Sequence, residues 1–263
     1  MVTKHIIEPN VLYKYGKFDE YTEKIFTNNE IYFSSPDEFN DPFDSKPRYI
    51  CEGNKQQKIS YLLGLYKKKY PRRSKEEISA DVKREIITEG KEGIVLNEAL
   101  ETSGDRIRKM LGICCFSEKR DNILMWAHYA KQHTGFCLEF DIDNDFFRPI
   151  TRAIKVEYDA ILPEINVMQL SNYPREELGI KFLKKADDWE YEQEWRIVET
   201  KKGPRIQNFP EAALSGVILG CRISQENKDN VFRWCGKRKH PPTLYEAREK
   251  QKEFGLDIVR IDY

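Results

Sequence analysis

The sequence predicts an α+β fold with a core of mostly antiparallel or mixed sheet, in one domain over 1–263 that carries a helical insertion at about 54–110. Three observations lead there. The strand-like runs are short and seldom separated by regular helices, which favours antiparallel pairing over a doubly wound sheet. The dinucleotide fingerprint G-x-G-x-x-G and the phosphate-loop signature are both absent, which removes the two commonest nucleotide-binding folds. Between about Asn54 and Met110 the chain turns densely charged, with the spaced apolar residues of amphipathic helices.

A chain of 263 residues that is 40% hydrophobic can bury a substantial core, and the composition argues against disorder over most of it. Lys and Arg number 44, as do Asp and Glu, so the formal net charge is zero and a dedicated nucleic-acid coat is disfavoured. The basic run Lys67–Lys75 remains a local nucleic-acid candidate, set against the plainer reading of a solvated helix end. There is no run of about eighteen apolar residues and no signal-peptide core in M-V-T-K-H-I-I-E-P-N, so the expectation is a cytoplasmic protein with no membrane partner. Six scattered cysteines without a C-x-x-C pair predict free thiols.

Taken in order, V-L-Y-K-Y (11–15) reads as a first strand and Asp19 to Thr27 as a helix ended by Asn28-Asn29. I-Y-F-S-S-P opens a second strand, and D-E-F-N-D-P-F-D-S is turn chemistry carrying Asp37, Asp41 and Asp44, with Phe39 and Phe43 as core anchors. Ser74 with Glu77 makes a capping box for a helix through about Glu89, with Ile78, Val82 and Ile86 on its stripe. Leu111 to Ser117 is an apolar run of the kind that forms a buried strand. Asp121 is placed to cap a buried helix that runs to Gly135, and a strand F-C-L-E-F-D follows, with Ala153–Tyr158 expected to pair beside it. A helix over about Pro174–Ala186 leads to a strand Trp195–Glu199, and Gly216–Leu219 is another strand. Ser224 caps a helix ending near Gly236, T-L-Y-E-A-R-E-K-Q-K-E-F reads as an amphipathic helix, and L-D-I-V-R-I-D-Y as a terminal strand.

Chemistry narrows to a few places. His128 and His133 are five apart, about 140° around a helix, so they cannot reach one metal ion from one face. His128 is either a hydrogen-bonded buried group or a polar group turned to a site beside Tyr129, and His133 suits the helix C-terminus. No nucleophile carries a recognisable motif, and Cys114 and Cys115 lie in an apolar strand where thiols stay inert. The densest group is W-E-Y-E-Q-E-W-R-I-V (189–198). Read as extended, it puts Glu190, Glu192 and Glu194 on one face, with Trp189 and Trp195 anchoring the other. Adjacent carboxylates about 7 Å apart along a strand can divide labour, one stabilising a developing positive charge and the other orienting or deprotonating a nucleophile. Oxocarbenium chemistry at a ribose, with the nicotinamide of NAD as leaving group, needs that arrangement. The structural alternative is a surface ladder of glutamates paired with Lys184, Lys185 and Arg196.

Several segments resemble a bacterial family, the domain of unknown function numbered two-nine-seven-one: L-Y-K-Y (12–15), I-Y-F-S-S-P-D-E-F-N-D-P-F-D (31–44), C-F-S (115–117), M-W-A-H-Y-A-K-Q-H-T-G-F-C-L-E-F (125–140) and W-E-Y-E-Q-E-W-R (189–196). At the level of motif order, L-Y-K-Y, F-S-S-P and E-Q-E-W-R-I-V also resemble mono-ADP-ribosyltransferases. That resemblance implies Glu194 as catalytic glutamate, Glu192 as the acceptor-orienting one, Ser34 and Ser35 as supporting serines, and Tyr13 or Lys14 as the residue gripping NAD. The sequence departs from the pattern, since Lys14 is not Arg or His and Ser34-Ser35-Pro36 is not Ser-x-Ser.

The expected site is thus catalytic Glu194, Glu192 and His128, with Tyr13, Lys14, Ser34, Ser35, Asn40, Asp41 and Tyr129 binding the nucleotide, and no metal. The expected partners are a nucleotide-type small molecule and a macromolecular acceptor, in an NAD-consuming enzyme of toxin or defence type. A metal-dependent nuclease or phosphodiesterase and a non-catalytic binding module are the alternatives.

Overall fold

The computed structural model describes residues 9–87, 108–143, 153–169, 181–199 and 203–262, together with 102, 104, 105, 146 and 147. Its centre is an eight-stranded mixed sheet, which makes the fold α+β as the sequence predicted. In spatial order the strands are β14 (Leu256–Ile261), β13 (Thr243–Glu249), β12 (Leu214–Leu219), β5 (Phe136–Asp141), β1 (Val11–Gly16), β4 (Gly112–Ser117), β10 (Glu194–Glu199) and β6 (Ile154–Lys155). Every pairing is antiparallel except β12 with β13.

The sheet is divided near its middle. β1 pairs with β5 over six residues and β4 with β10 over six, whereas β1 and β4 share the single pair Tyr13–Ser117. The two strands splay beyond that point, and the half-buried Lys14 side chain reaches across to give a hydrogen bond to the Cys115 carbonyl at 3.2 Å.

Alternation on these strands separates two layers. Leu12, Leu138, Phe140, Cys114, Phe116, Trp195 and Ile197 face the larger core, which α1 (Thr22–Thr27) and α5 (Gln225–Cys235) cover through Phe26 stacked on Trp234. On the opposite face Tyr13, Cys137 and Ile218 pack under α4 (Ile123–Tyr129) through Trp126 and Ala130, and Leu111, Ile113, Ile165 and Phe182 form a further cluster. α2 (Lys55–Lys69) and α3 (Lys75–Ile87) pack on each other through Leu62, Tyr66, Ile78 and Val82, the expected amphipathic pair. Reciprocal capping boxes start both, Asn54 with Gln57 and Ser74 with Glu77. Small ribbons complete the fold: β2 (Glu30–Phe33) with β11 (Arg205–Asn208), β3 (Arg48–Ile50) with β8 (Glu164–Asn166), and β7 (Glu157–Tyr158) with β9 (Lys184–Lys185). All six cysteines are free thiols.

Several expectations are corrected. The stretch 189–193 is not extended: Asp187–Glu192 is a 3-10 turn, Gln193 adopts a left-handed conformation at φ 47°, and the strand begins at Glu194. Glu190 is therefore exposed while Glu192 and Glu194 are buried, so no three-glutamate face exists. The helix after Asn122 is short, because Lys131, Gln132 and His133 all take positive φ, and Asn122 rather than Asp121 caps it, accepting from Leu124 and Met125. It is buried on one side alone, with Ile123 and Leu124 exposed. Residues 243–249 form β13, since parallel pairing with β12 overrides their helical pattern. The Ile154–Lys155 strand lies beside β10, not β5. Phe43 is 65% exposed and anchors nothing. Of the helix expected over Pro174–Ala186, 174–180 lie outside the described residues and Lys184–Lys185 is strand.

Candidate functional site: a cleft over a buried ion-pair cluster

An arginine in the middle of an apolar strand must find acceptors, because an unpaired buried guanidinium is costly. Arg196 is such a residue, fully buried between Trp195 and Ile197. Its five N–H donors are all used: Nε on Glu194 Oε1 at 2.7 Å, Nη1 on Asp44 Oδ1 at 2.8 Å and Ser45 Oγ at 3.0 Å, and Nη2 on Asp44 Oδ2 at 2.7 Å and Glu194 Oε2 at 2.8 Å. The Asp44 link spans 152 residues and pins the turn-rich loop after Pro36–Glu38 to β10.

Lys185 is the second cation. Its Nζ lies 2.6 Å from Glu192 Oε2, 3.2 Å from Glu194 Oε2 and 3.4 Å from Asp44 Oδ2, and 4.9 Å from the Trp189 ring centre. The turn at Gln193 produces this convergence, since it swings Glu192 back onto the ammonium that also holds Glu194. Glu192 Oε1 accepts from the Tyr129 hydroxyl at 2.7 Å, and the Glu194 amide donates to the Tyr158 hydroxyl at 2.8 Å.

The two glutamates are driven apart electrostatically. Burial pushes the Glu192 carboxyl up, and the lysine and tyrosine on it do not fully offset that cost. Burial would raise Glu194 too, but Arg196 and then Lys185 outweigh it and hold its pKa down to about 2. Lys185 is held above the ordinary lysine range: burial opposes the charge, and Glu194 and Asp44 overcome that opposition. Burial raises the Tyr129 phenol well out of the titrating range, so it acts as a neutral donor.

Above this cluster, at the split between β1 and β4, opens a cleft of about 110 Å³. Tyr13, Lys14 and Tyr15 of β1, Cys115 and Phe116 of β4, Phe39, Asn40 and Asp44 of the loop, Met125 and Tyr129 of α4, and Lys185, Glu192 and Glu194 line it. Of the ten residues singled out from sequence, Tyr13, Lys14, Asn40, Tyr129, Glu192 and Glu194 therefore meet at one place. The other four do not line it. Ser34 forms a backbone bridge with Ile113, Ser35 Oγ accepts from the Asp37 amide, and Asp41 Oδ1 accepts from the Phe43 amide. His128 is exposed, its ring edge-on to Trp189 at 6.1 Å. His133 lies against Trp126 at 6.3 Å, outside the cleft. Lys184 pairs with Asp159 rather than with the glutamates. Sequence reasoning missed Phe39, Met125, Tyr15 and Phe116 as cleft walls, and also the Asp44–Arg196 pair, whose signal was an arginine inside an apolar run.

The three carboxylates are spent on Lys185 and Arg196, which is ion-pair geometry and leaves no free donor set for a divalent cation. Among the described residues no group of three His, Cys, Asp or Glu side chains could hold a metal ion, and no helix is long and apolar enough to cross a membrane.

No curated protein and no solved structure matches the chain. Residues 125–197 match the model of a family described as a protein of unknown function, DUF2971. That stretch contains Met125, Tyr129, Lys185, Glu192, Glu194 and Arg196, and so one wall and the floor of the cleft. From α4 through most of β10 the chain is therefore similar to the DUF2971 family, as the resemblance read from its segments implied.

Proposed function

We propose that the protein is an enzyme that cleaves the bond between nicotinamide and ribose in NAD, transferring the ADP-ribosyl group to water or to a macromolecular acceptor. One observation carries this reading: two neighbouring carboxylates share a cleft in opposite electrostatic states, Glu194 held ionised and Glu192 pushed toward protonation. Such divergence is how a site divides acid and base work between like groups. Glu194, clamped in its ionised form by Arg196 and Lys185, is the carboxylate beside which a ribosyl cation would develop. In the step itself the C1′–N bond breaks with its electron pair on the pyridine nitrogen, and the acceptor oxygen bonds to C1′. Glu192 takes the acceptor's proton. The aromatic walls, Tyr13, Tyr15, Phe39, Phe116 and Tyr129, suit the face of a planar ring such as the nicotinamide end of the dinucleotide.

The test is release of nicotinamide from NAD by pure protein, followed in wild type, Glu192→Gln and Glu194→Gln. Loss of about 10²- to 10⁴-fold in each variant supports the reading. Turnover unchanged in both, or none in wild type, refutes it. Cleavage of nucleic acid abolished by EDTA would favour the nuclease alternative. Variants that are inert in every assay but melt lower would favour a binding module.

A further inference from the structure

The helical hairpin of α2 and α3 contributes nothing to the cleft, and its tip concentrates charge of one sign. Residues 67–77, K-K-K-Y-P-R-R-S-K-E-E, hold six basic and two acidic side chains in a chain whose formal net charge is zero. The turn between the helices is fixed from within. Tyr70 packs beside Tyr66, ring centres 5.9 Å apart, on the core that Leu62, Ile78 and Val82 form. The Arg73 amide donates to the Tyr70 carbonyl at 3.1 Å, and the Arg73 guanidinium is held by Asp81 at 2.6 Å. Glu77 is spent on the Ser74 amide. What remains at the surface is Lys67, Lys68, Arg72 and Lys75, all exposed and without an ion pair among the described residues.

Helix electrostatics account for only part of that cluster. Lys67 and Lys68, in the last turn of α2, answer the negative end of its dipole. Lys75 is the first residue of α3, where the dipole works against a cation, and Arg72 lies in the turn outside both helices. We propose that the tip of this hairpin docks the phosphate backbone of duplex nucleic acid through Lys67, Lys68, Arg72 and Lys75. The partner's chemistry follows from what surrounds the cations. An anionic bilayer is held best where an apolar side chain can insert beside the charges, and no Ile, Leu or Tyr between 55 and 75 is exposed; they face the hairpin core. Single strands are gripped by stacking their bases on open aromatic rings, whereas Tyr70, the aromatic at the tip, already carries Lys69 and Arg73 against its ring at 5.5 Å each. Arg72 is the one uncommitted arginine fork and 67–77 contains no Asn or Gln, so the contacts go to phosphates and carry little sequence preference. The inference stands whether or not the cleft consumes NAD, since none of the four side chains lines it.

The experiment is fluorescence anisotropy of short labelled duplexes of DNA and of RNA, with the separated single strands and phosphatidylserine vesicles as competing probes. Four phosphate contacts predict a log–log salt slope of about −3 to −4, roughly a 10²-fold loss of affinity between about 50 and 200 mM salt. A chain carrying Lys67→Gln, Lys68→Gln, Arg72→Gln and Lys75→Gln is expected to lose at least about tenfold at low salt and most of the slope, with wild-type circular dichroism and melting temperature. A second chain of the same net charge carries Lys17→Gln, Lys237→Gln, Lys239→Gln and Lys252→Gln, at lysines exposed elsewhere. It is expected to stay within about threefold of wild type, because the placement of the charges and not their sum makes the surface. Failure of wild type to bind either duplex at low salt, equal losses in the two variants, single strands bound more tightly than duplex, or vesicle binding without duplex binding overturns the proposal.

Discussion

Replacing Arg196 with methionine is the most demanding test of the buried cluster. The substitution nearly preserves side-chain volume and removes five hydrogen bonds, so Lys185, at 3.4 and 3.2 Å, is the one cation of the cluster left to Asp44 and Glu194. Removing one partner of a buried pair costs about 3–5 kcal/mol, because the desolvated charge left behind is no longer compensated. Unfolding entropy of about 2 cal/mol/K per residue over 263 residues gives roughly 0.5 kcal/mol per degree, so the melting temperature should fall by about 6–10 °C. Thermal and urea unfolding measure it. Adding Asp44→Asn and Glu194→Gln to the Arg196→Met chain should recover about half the loss or more, since the cost comes from orphaned charge rather than missing contacts. A loss below about 1 kcal/mol, or a triple variant weaker than the single, would refute the reasoning.

Other perturbations have equally definite outcomes. The Glu194 carboxyl, ordinarily at 4.5 and held near 2 in the fold, contributes about 3 kcal/mol that is fully present above pH 4.5. That stability is lost as pH falls from 4.5 toward 2, and a Glu194→Gln chain should show a shallower acid limb in urea melts across that window. Tyr129→Phe takes away a donor that stabilises the charged form of Glu192, so its carboxyl titration, followed by infrared or NMR, should move further up; an unmoved titration rejects the contact. At Gly135 a methyl group would clash with the Gly16 carbonyl oxygen, and Gly135→Ala should cost roughly 2–3 kcal/mol in denaturant melts.

What the sequence made legible follows from how local each signal is. The capping box at Ser74, the Ser224 cap and the strands read at 11–15, 111–117 and 216–219 are written within a few residues, and they form with ends shifted by one or two residues. T-L-Y-E-A-R-E-K-Q-K-E-F reads as an amphipathic helix from its own residues, and what makes 243–249 the strand β13 is pairing with β12 about 27 residues away. The Trp189–Gln193 stretch was misread for the opposite reason. Its period-two pattern is real, but Lys185 pulls Glu192 into a turn that no local propensity announces. In the site, Glu192, Glu194 and Asn40 could be singled out from the residues themselves and Tyr13 only through the resemblance in motif order, whereas Asp44 is tied to its arginine only through tertiary structure.

The narrow junction at Tyr13–Ser117 has a mechanical consequence. A sheet held by six pairs on either side of a single bridge bends most cheaply at that bridge, so the five-strand and three-strand halves can rock as two plates about a flexure. A ligand wedged between Tyr15 on one plate and Cys115 on the other would brace both at once. Amide exchange should then slow together along β1 and β4, two strands nearly a hundred residues apart in the chain.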